Sequence, residues 1–275
     1  MDSVRRFLLE QLDIRGALAS LGNAWHELQA VRDDPPAVTQ LLGELAAITV
    51  LIAGNLKAPG RISFQLQGKG LISLLLVDCD QQLRLRGTTR HKLGAGATAS
   101  FVDLIGDGQL ALTLQPPEGA PYQSIVPLQG NSLAEIFEHY LAQSEQLPTR
   151  LLLTANADFA GGLFLQKLPG ADSKDADGWN RIEHLAATIQ PAELAESAAN
   201  LLMRVFAEED VRLYDPRPVR YHCPRDEAKV LAMLKSLGRE EVETALAEQG
   251  ALVIEDEICR QTYRFGNELV PQLFE

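Results

Sequence analysis

The sequence predicts an α+β fold: a largely antiparallel-sheet core with helices, a helical acidic linker, and a small C-terminal module of helices plus a β-hairpin. Strand and helix patterns come in runs rather than in regular alternation, which points away from a parallel sheet. The net charge is −12, and half of it falls within residues 171–216. Glycine, proline and short polar residues set that stretch apart from both flanks.

The chain has 275 residues, room for about two domains and a sizeable core. Apolar residues make up 46% and charged residues 23%, an ordinary globular balance. Asp and Glu number 37 against 25 Lys and Arg, with no basic run, so nucleic acid is not an expected partner. Cys79, Cys223 and Cys259 are too few and too far apart for a disulfide framework. Their odd count points to a reducing compartment, and a cytoplasmic location is expected. Met1–Gln11 carries Asp2, Arg5, Arg6 and Glu10 and has no signal-peptide core. The longest strongly apolar stretch, Leu45–Leu56 between Glu44 and Lys57, has twelve residues. That is too short to span a bilayer, so a buried helix and no membrane partner are expected.

The elements follow in order. A helix starts after Pro35-Pro36 with Val38, Leu41, Leu42, Leu45, Ile48 and Ile52 on a broad face. Ile62, Phe64 and Leu66 alternate with polar residues as a half-exposed strand. Gly68-Lys-Gly70 is a turn, and Leu71–Val77 is a more buried strand. Leu83 and Leu85, then Leu110, Leu112 and Leu114, mark further strands. Ser132-Leu-Ala-Glu135 has the form of a capping box, opening a helix with Leu133, Ile136, Phe137, Tyr140 and Leu141 inward. Leu151–Leu153 and Leu163–Leu165 read as strands around Gly161-Gly162. In the acidic stretch, Ile182, Leu185, Ala186 and Ile189 share a helix face. Pro191 then suits the first turn of a second helix carrying Leu194, Ala198, Leu201, Leu202, Val205 and Phe206. Such helices are stable mainly when docked. Helices around Glu227–Leu237 and Glu240–Ala247, stopped by Gly238 and Gly250, precede a hairpin of Leu252–Glu255 and Ile258–Phe265. The resulting divisions are residues 1–172, 173–218 and 219–275.

Few residues carry chemistry by pattern. Gly68-x-Gly70, Gly94-x-Gly96 and Gly106-x-Gly108 lack the further residues of phosphate loops and read as turns. Gly130-Asn-Ser132 is a helix cap rather than a nucleophile elbow. His26, His91, His139, His184 and His222 are scattered, and Trp25 and Trp179 are not interleaved with basic residues. Cys223 lies between His222 and Pro224, and Cys259 follows 36 residues later. Both fall in a module too small for a thick core, a kind that often needs a metal or a crosslink. Taken alone, two buried thiols are the favoured reading of the pair, with a metal or a crosslink as the alternative.

Several segments carry a wider likeness: Leu41-Leu-Gly-Glu-Leu-Ala-Ala47, Ile62-Ser-Phe-Gln-Leu-Gln-Gly-Lys-Gly70, Ser144-Glu-Gln-Leu-Pro-Thr-Arg150, Ala160-Gly-Gly-Leu-Phe-Leu-Gln166 and Tyr214-Asp-Pro216. Through them the chain resembles, over nearly its full length, the 33-kilodalton heat-shock proteins, redox-regulated holdase chaperones of bacteria. The resemblance implies a substrate-binding core at 1–172, a linker at 173–218 and a zinc and redox module at 219–275. It implies unfolded or partly folded client proteins as partners, a possible homodimer, no catalytic residues and no use of ATP. In the family, four cysteines in one Cys-x-Cys and one Cys-x-x-Cys pair hold zinc. Oxidation ejects the metal, forms a disulfide within each pair and exposes apolar surface.

This chain departs from that pattern. In the family register Cys223 is followed by Arg225 in place of the second cysteine, and Cys259 is preceded by Asp256 in place of the first. The four-cysteine zinc site is incomplete, and no cofactor is expected. A mixed site of Cys223, Cys259, Asp256 and His222 is disfavoured, because His222 and Cys223 point in different directions along an extended chain. Arg225 and Asp256 are expected to pair as ions in the vacated places. Cys223 and Cys259 are candidates for a cross-disulfide, because thiolates sharing one zinc lie only ~3.8 Å apart. Cys79 is expected to be a bystander. The expected function is an ATP-independent holdase whose zinc-dependent switch is lost. The alternatives are a protein-binding adaptor without chaperone action and, less favoured, a thiol oxidoreductase using Cys223 and Cys259.

Overall fold

The computed structural model describes residues 2–56, 58–94 and 96–274. Lys57, at the end of the apolar stretch, and Ala95, inside the Gly94–Gly96 pair, lie outside the described residues, as do Met1 and Glu275. The chain forms two compact units, Met1–His222 and Cys223–Glu275, and residues 173–218 are packed within the first.

The first unit begins with β1 (Ser3–Leu9), β2 (Ile14–Leu21), α1 (Asn23–Gln29) and α2 (Pro36–Asn55). There follow β3 (Arg61–Gln67), β4 (Ile72–Cys79), β5 (Arg84–His91), α3 (Phe101–Ile105), β6 (Gln109–Gln115) and β7 (Tyr122–Val126). Next are α4 (Leu133–Ser144), β8 (Thr149–Ala155) and β9 (Ala160–Lys167). The acidic stretch supplies α5 (Ala171–Lys174), α6 (Gly178–Ala186), a 3-10 turn at Pro191–Ala195 and α7 (Ala198–Val205). The unit ends with β10 (Val211–Leu213), β11 (Arg217–Pro218) and β12 (Arg220–Tyr221).

Two sheets enclose α2. The first runs β10-β1-β2-β9-β8, with β11 also on β1, and the second runs β12-β5-β4-β3-β6-β7. The pairings are antiparallel except β12 on β5. All but the last residue of the expected twelve-residue stretch belongs to a 20-residue helix, with Leu56 as its C-cap. By length and composition α2 could cross a membrane, but most of it is buried inside the unit. Its apolar residues meet Ala17, Ala19 and Phe164 of the first sheet and Phe64, Leu75 and Val77 of the second, in one core. Phe64 and Phe137 of α4 meet edge to face, 4.8 Å apart.

The first sheet is buried on both faces. Ala17, Ala19 and Leu21 of β2 face α2, while Ile14 and Leu18 face the other way. Strand side chains alternate between faces, so both parities of β2 must be apolar or small. At Gly162, a Cβ atom would stand 2.8 Å from the Leu152 carbonyl oxygen and 3.2 Å from Leu51 of α2. The glycine pair at Gly161-Gly162 therefore allows close packing of helix and sheet.

The second unit holds α8 (Glu227–Leu237), α9 (Arg239–Gln249), β13 (Leu252–Asp256), β14 (Gln261–Phe265) and α10 (Leu269–Phe274). The hairpin strands pair antiparallel from Leu252↔Phe265 to Asp256↔Gln261. Leu234, Val242, Leu246, Tyr263, Phe265, Leu269 and Leu273 form its own small core.

Two local expectations change. Ser132 Oγ caps α4 by accepting from Glu135 N–H at 3.2 Å. The Glu135 carboxylate accepts from Asn131 N–H instead of Ser132 N–H, so the capping box is only half formed. The second acidic-stretch helix is two pieces: Glu196 is extended, ending the 3-10 turn, and Ser197 opens α7 by accepting from Asn200 N–H.

Candidate functional site

In the second unit, Cys223 and Cys259 are joined by a disulfide with a Cα–Cα separation of 5.6 Å. Cys223 sits in the irregular segment before α8, and Cys259 lies in the turn between β13 and β14. That turn is built by Asp256, whose Oδ1 accepts from Ile258 N–H at 2.8 Å and Cys259 N–H at 3.1 Å. Its carbonyl accepts from Arg260 N–H at 2.7 Å, with Arg260 at φ 54°. Hydrogen bonds flank the disulfide. Gln261 Nε2 donates to the Cys223 carbonyl at 2.7 Å, and Asp226 N–H donates to Tyr263 Oη at 2.8 Å.

The expected ion pair between Arg225 and Asp256 is not made among the described residues. Arg225 Nη2 donates to the Thr262 carbonyl at 3.1 Å, and its guanidinium lies 4.6 Å from the centroid of the Tyr263 ring. An exposed guanidinium is better served by a ring face and a fixed carbonyl than by a carboxylate already committed to turn N–H groups.

The residues present do not fit a four-thiolate zinc site. Arg225 has no lone pair to offer, the two sulfurs are bonded to each other, and the Asp256 carboxylate caps a turn. Among the described residues, no group of three or more His, Cys, Asp or Glu is placed to hold a metal. Cys79 is buried in the first unit, and burial, with Asp80 and Asp78 nearby, pushes its thiol far above the ordinary range. It is therefore a protonated, unreactive thiol.

A second feature lies in the first unit. Phe7, Leu9, Ile14, Leu18, Leu163 and Leu165 make an apolar face on the first sheet, opposite α2. The acidic stretch covers it with Ile182, Ala186, Leu194, Leu201, Leu202 and Phe206. Phe7 and Phe206 rings stand 6.4 Å apart. Polar ties to the strands and their connections are peripheral: Lys174 Nζ reaches Asp13 at 2.7 Å and the Glu10 carbonyl at 2.7 Å, and Lys167 reaches Asp172 at 2.6 Å. Further ion pairs lie within the cover and its exit, where Arg181 joins Asp175 and Glu209, and Arg204 joins Glu193 and Glu196. A cavity of about 340 Å³ lies where the 3-10 turn and the start of α7 meet β1 and β2, lined by Arg5, Leu18, Leu194 and Ala198 among others.

Sequence reasoning flagged Cys223 and Cys259, which the structure joins. It placed Leu163 and Leu165 of β9 in a strand but missed the rest of the apolar face, because β1 and β2 were not read as strands. The available signal was the pair of apolar series Ile14-x-Gly16-x-Leu18 and Ala17-x-Ala19-x-Leu21 on opposite parities.

A family model described as Hsp33 protein matches residues 2–266. A 33 kDa chaperonin of Methylobacillus flagellatus is 40% identical over 277 residues, covering 99% of this chain and 94% of its own length. One from Nitrosococcus oceani is 39% identical over 274 residues, covering 99% and 94%. The crystal structure of a 33 kDa chaperonin from Thermotoga maritima matches with a TM-score of 0.84 at 20% identity, covering 99% of this chain and 98% of that one. At that identity the likeness is one of fold.

Proposed function

The chain belongs to the Hsp33 family of chaperones, and on that premise we propose that it is an ATP-independent holdase that captures unfolding proteins on the outer face of its first sheet. The observation that carries this reading is the apolar face of β1, β2 and β9, covered by a separate segment held mainly by apolar contacts. Uncovering it would present large side chains from strands that are already rigidly paired, a ready surface for exposed apolar client segments. Clients bind by apolar burial, which needs no fixed sequence and no catalytic residue. The acidic outer surface of the cover keeps the closed form soluble.

The zinc-dependent switch of the family is lost in this reading, since Arg225 and Asp256 stand where two thiolates are needed. The chain then works as a metal-free protein in the cytoplasm, and the trigger is whatever lifts the cover.

Replacing Leu201 in the cover with Asp tests this. Leu201→Asp places a charge in the apolar layer and favours the uncovered form. The variant is expected to suppress aggregation of several unrelated, thermally unfolding proteins without ATP, at lower ratios of chaperone to client than the unaltered chain. If neither chain suppresses aggregation, the holdase reading fails. Suppression confined to a single partner makes the chain an adaptor instead.

A further inference from the structure

We propose that the C-terminal unit is folded in its oxidised form and loosened by reduction, so that the Cys223–Cys259 bond closes this unit instead of opening it. The bond fastens a segment that has little else to hold it. Pro224, Arg225 and Asp226 are exposed and lie in no helix or strand, and the buried core of the unit takes no residue from 223–226. The segment's neighbouring ties, from Gln261 to the Cys223 carbonyl, from Arg225 to Thr262 and Tyr263, and from Asp226 to Tyr263, all reach the same hairpin end. They are individually weak and exposed or half-exposed, and each needs the segment already in place. Asp256 likewise holds Cys259 in the turn through its main-chain N–H. A covalent bond between these two places therefore organises every tie around it.

The chemistry balances with an external two-electron couple. A dithiol attacks as its thiolate at the Sγ of Cys223, the more exposed of the two residues, and the Cys259 thiolate leaves and takes up a proton. The dithiol's second thiolate then displaces Cys223, which is protonated in turn, and the reductant departs as a cyclic disulfide. A peroxide runs the couple the other way, taking two electrons from the thiols and becoming water. The inference stands on the geometry of the unit itself and not on the holdase reading.

Amide hydrogen exchange on the full chain, in chelator-treated buffer, tests it. Oxidised protein is compared with protein reduced by dithiothreitol, and thiol titration under denaturing conditions is expected to rise from one (Cys79) to three per chain. Peptides from 223–275 are expected to exchange at least tenfold faster after reduction, with peptides from 2–222 serving as the internal reference. Zinc added to the reduced chain is expected to leave that fast exchange unchanged. Cys223→Ser is expected to exchange like the reduced protein whether or not peroxide is added. Equal protection of 223–275 in both redox states overturns the proposal, and so does recovery of protection on adding zinc.

Discussion

Glu44 carries the one charge in the sequence of α2, and it is half-buried. Burial raises its carboxyl above the ordinary range, against the opposing hydrogen bond from Gln40 at 2.8 Å. The folded chain thus holds this proton more tightly than the unfolded chain does. Stability contributed here is greatest in acid and falls as pH rises from the ordinary glutamate range through the raised value. Glu44→Gln keeps the oxygen that accepts from Gln40 and removes the buried charge. It is expected to raise the melting temperature at pH 7, with the gain vanishing at pH 4 and below. At the same scale, buried Gln166 explains part of the Ser144–Arg150 motif. Its amide nitrogen donates to Glu145 at 2.9 Å and Thr149 at 3.0 Å, and its oxygen accepts from Arg15, so two residues of the motif, Glu145 and Thr149, share one polar network with Arg15.

Elements differ in how plainly they could be read. Strand β3 alternates cleanly because Ile62, Phe64 and Leu66 face α2 while Ser63 and Gln65 face outward. Strand β2 did not stand out, because two buried faces erase the alternation that marks a strand, and in β1 the apolar residues are interrupted by Arg5 and Arg6. The single helix expected after Pro191 is split at Glu196-Ser197, a break the apolar stripe running through it conceals. In the second unit α8, α9 and the hairpin were visible, whereas α10 was not. Cys223 and Cys259 were legible as a pair, but the partners of Arg225 were not. A main-chain carbonyl and a ring face leave no charge pattern in a sequence. The two serine caps make the element scale testable. Ser132→Ala and Ser197→Ala each remove one cap, costing ~1 kcal/mol. Loss of the Ser197 cap is expected to speed exchange in α7 alone, leaving the global unfolding midpoint nearly unchanged. Loss of the Ser132 cap, in a helix packed on the core, is expected to lower that midpoint.

For the whole molecule, two units with separate cores predict two unfolding transitions. Both tryptophans, Trp25 and Trp179, lie in the first unit, so their fluorescence reports on that unit alone, while circular dichroism reports on both. The disulfide closes a span of 36 residues, which in the chain-entropy account is worth roughly 3–4 kcal/mol to the second unit. Reduction is expected to move the dichroism transition of 223–275 to lower urea and to leave the fluorescence midpoint in place. A shift of the fluorescence midpoint of the same size would show that the two units unfold together.

The covering segment is fastened at both ends. It leaves the sheet from β9 and returns to it as β10, which pairs with β1 from Phe7↔Leu213 to Leu9↔Val211. When it lifts, it lifts as a bight and not as a free tail. Its effective concentration over the apolar face therefore stays near the millimolar range typical of short tethers, whatever the abundance of clients. On the holdase reading proposed above, a client would hold the face only while it outcompetes that built-in rival. As a captured chain became able to bury its own apolar residues, the tethered segment would reclaim the face. On that reading, loss of the client's own exposed surface would by itself favour release.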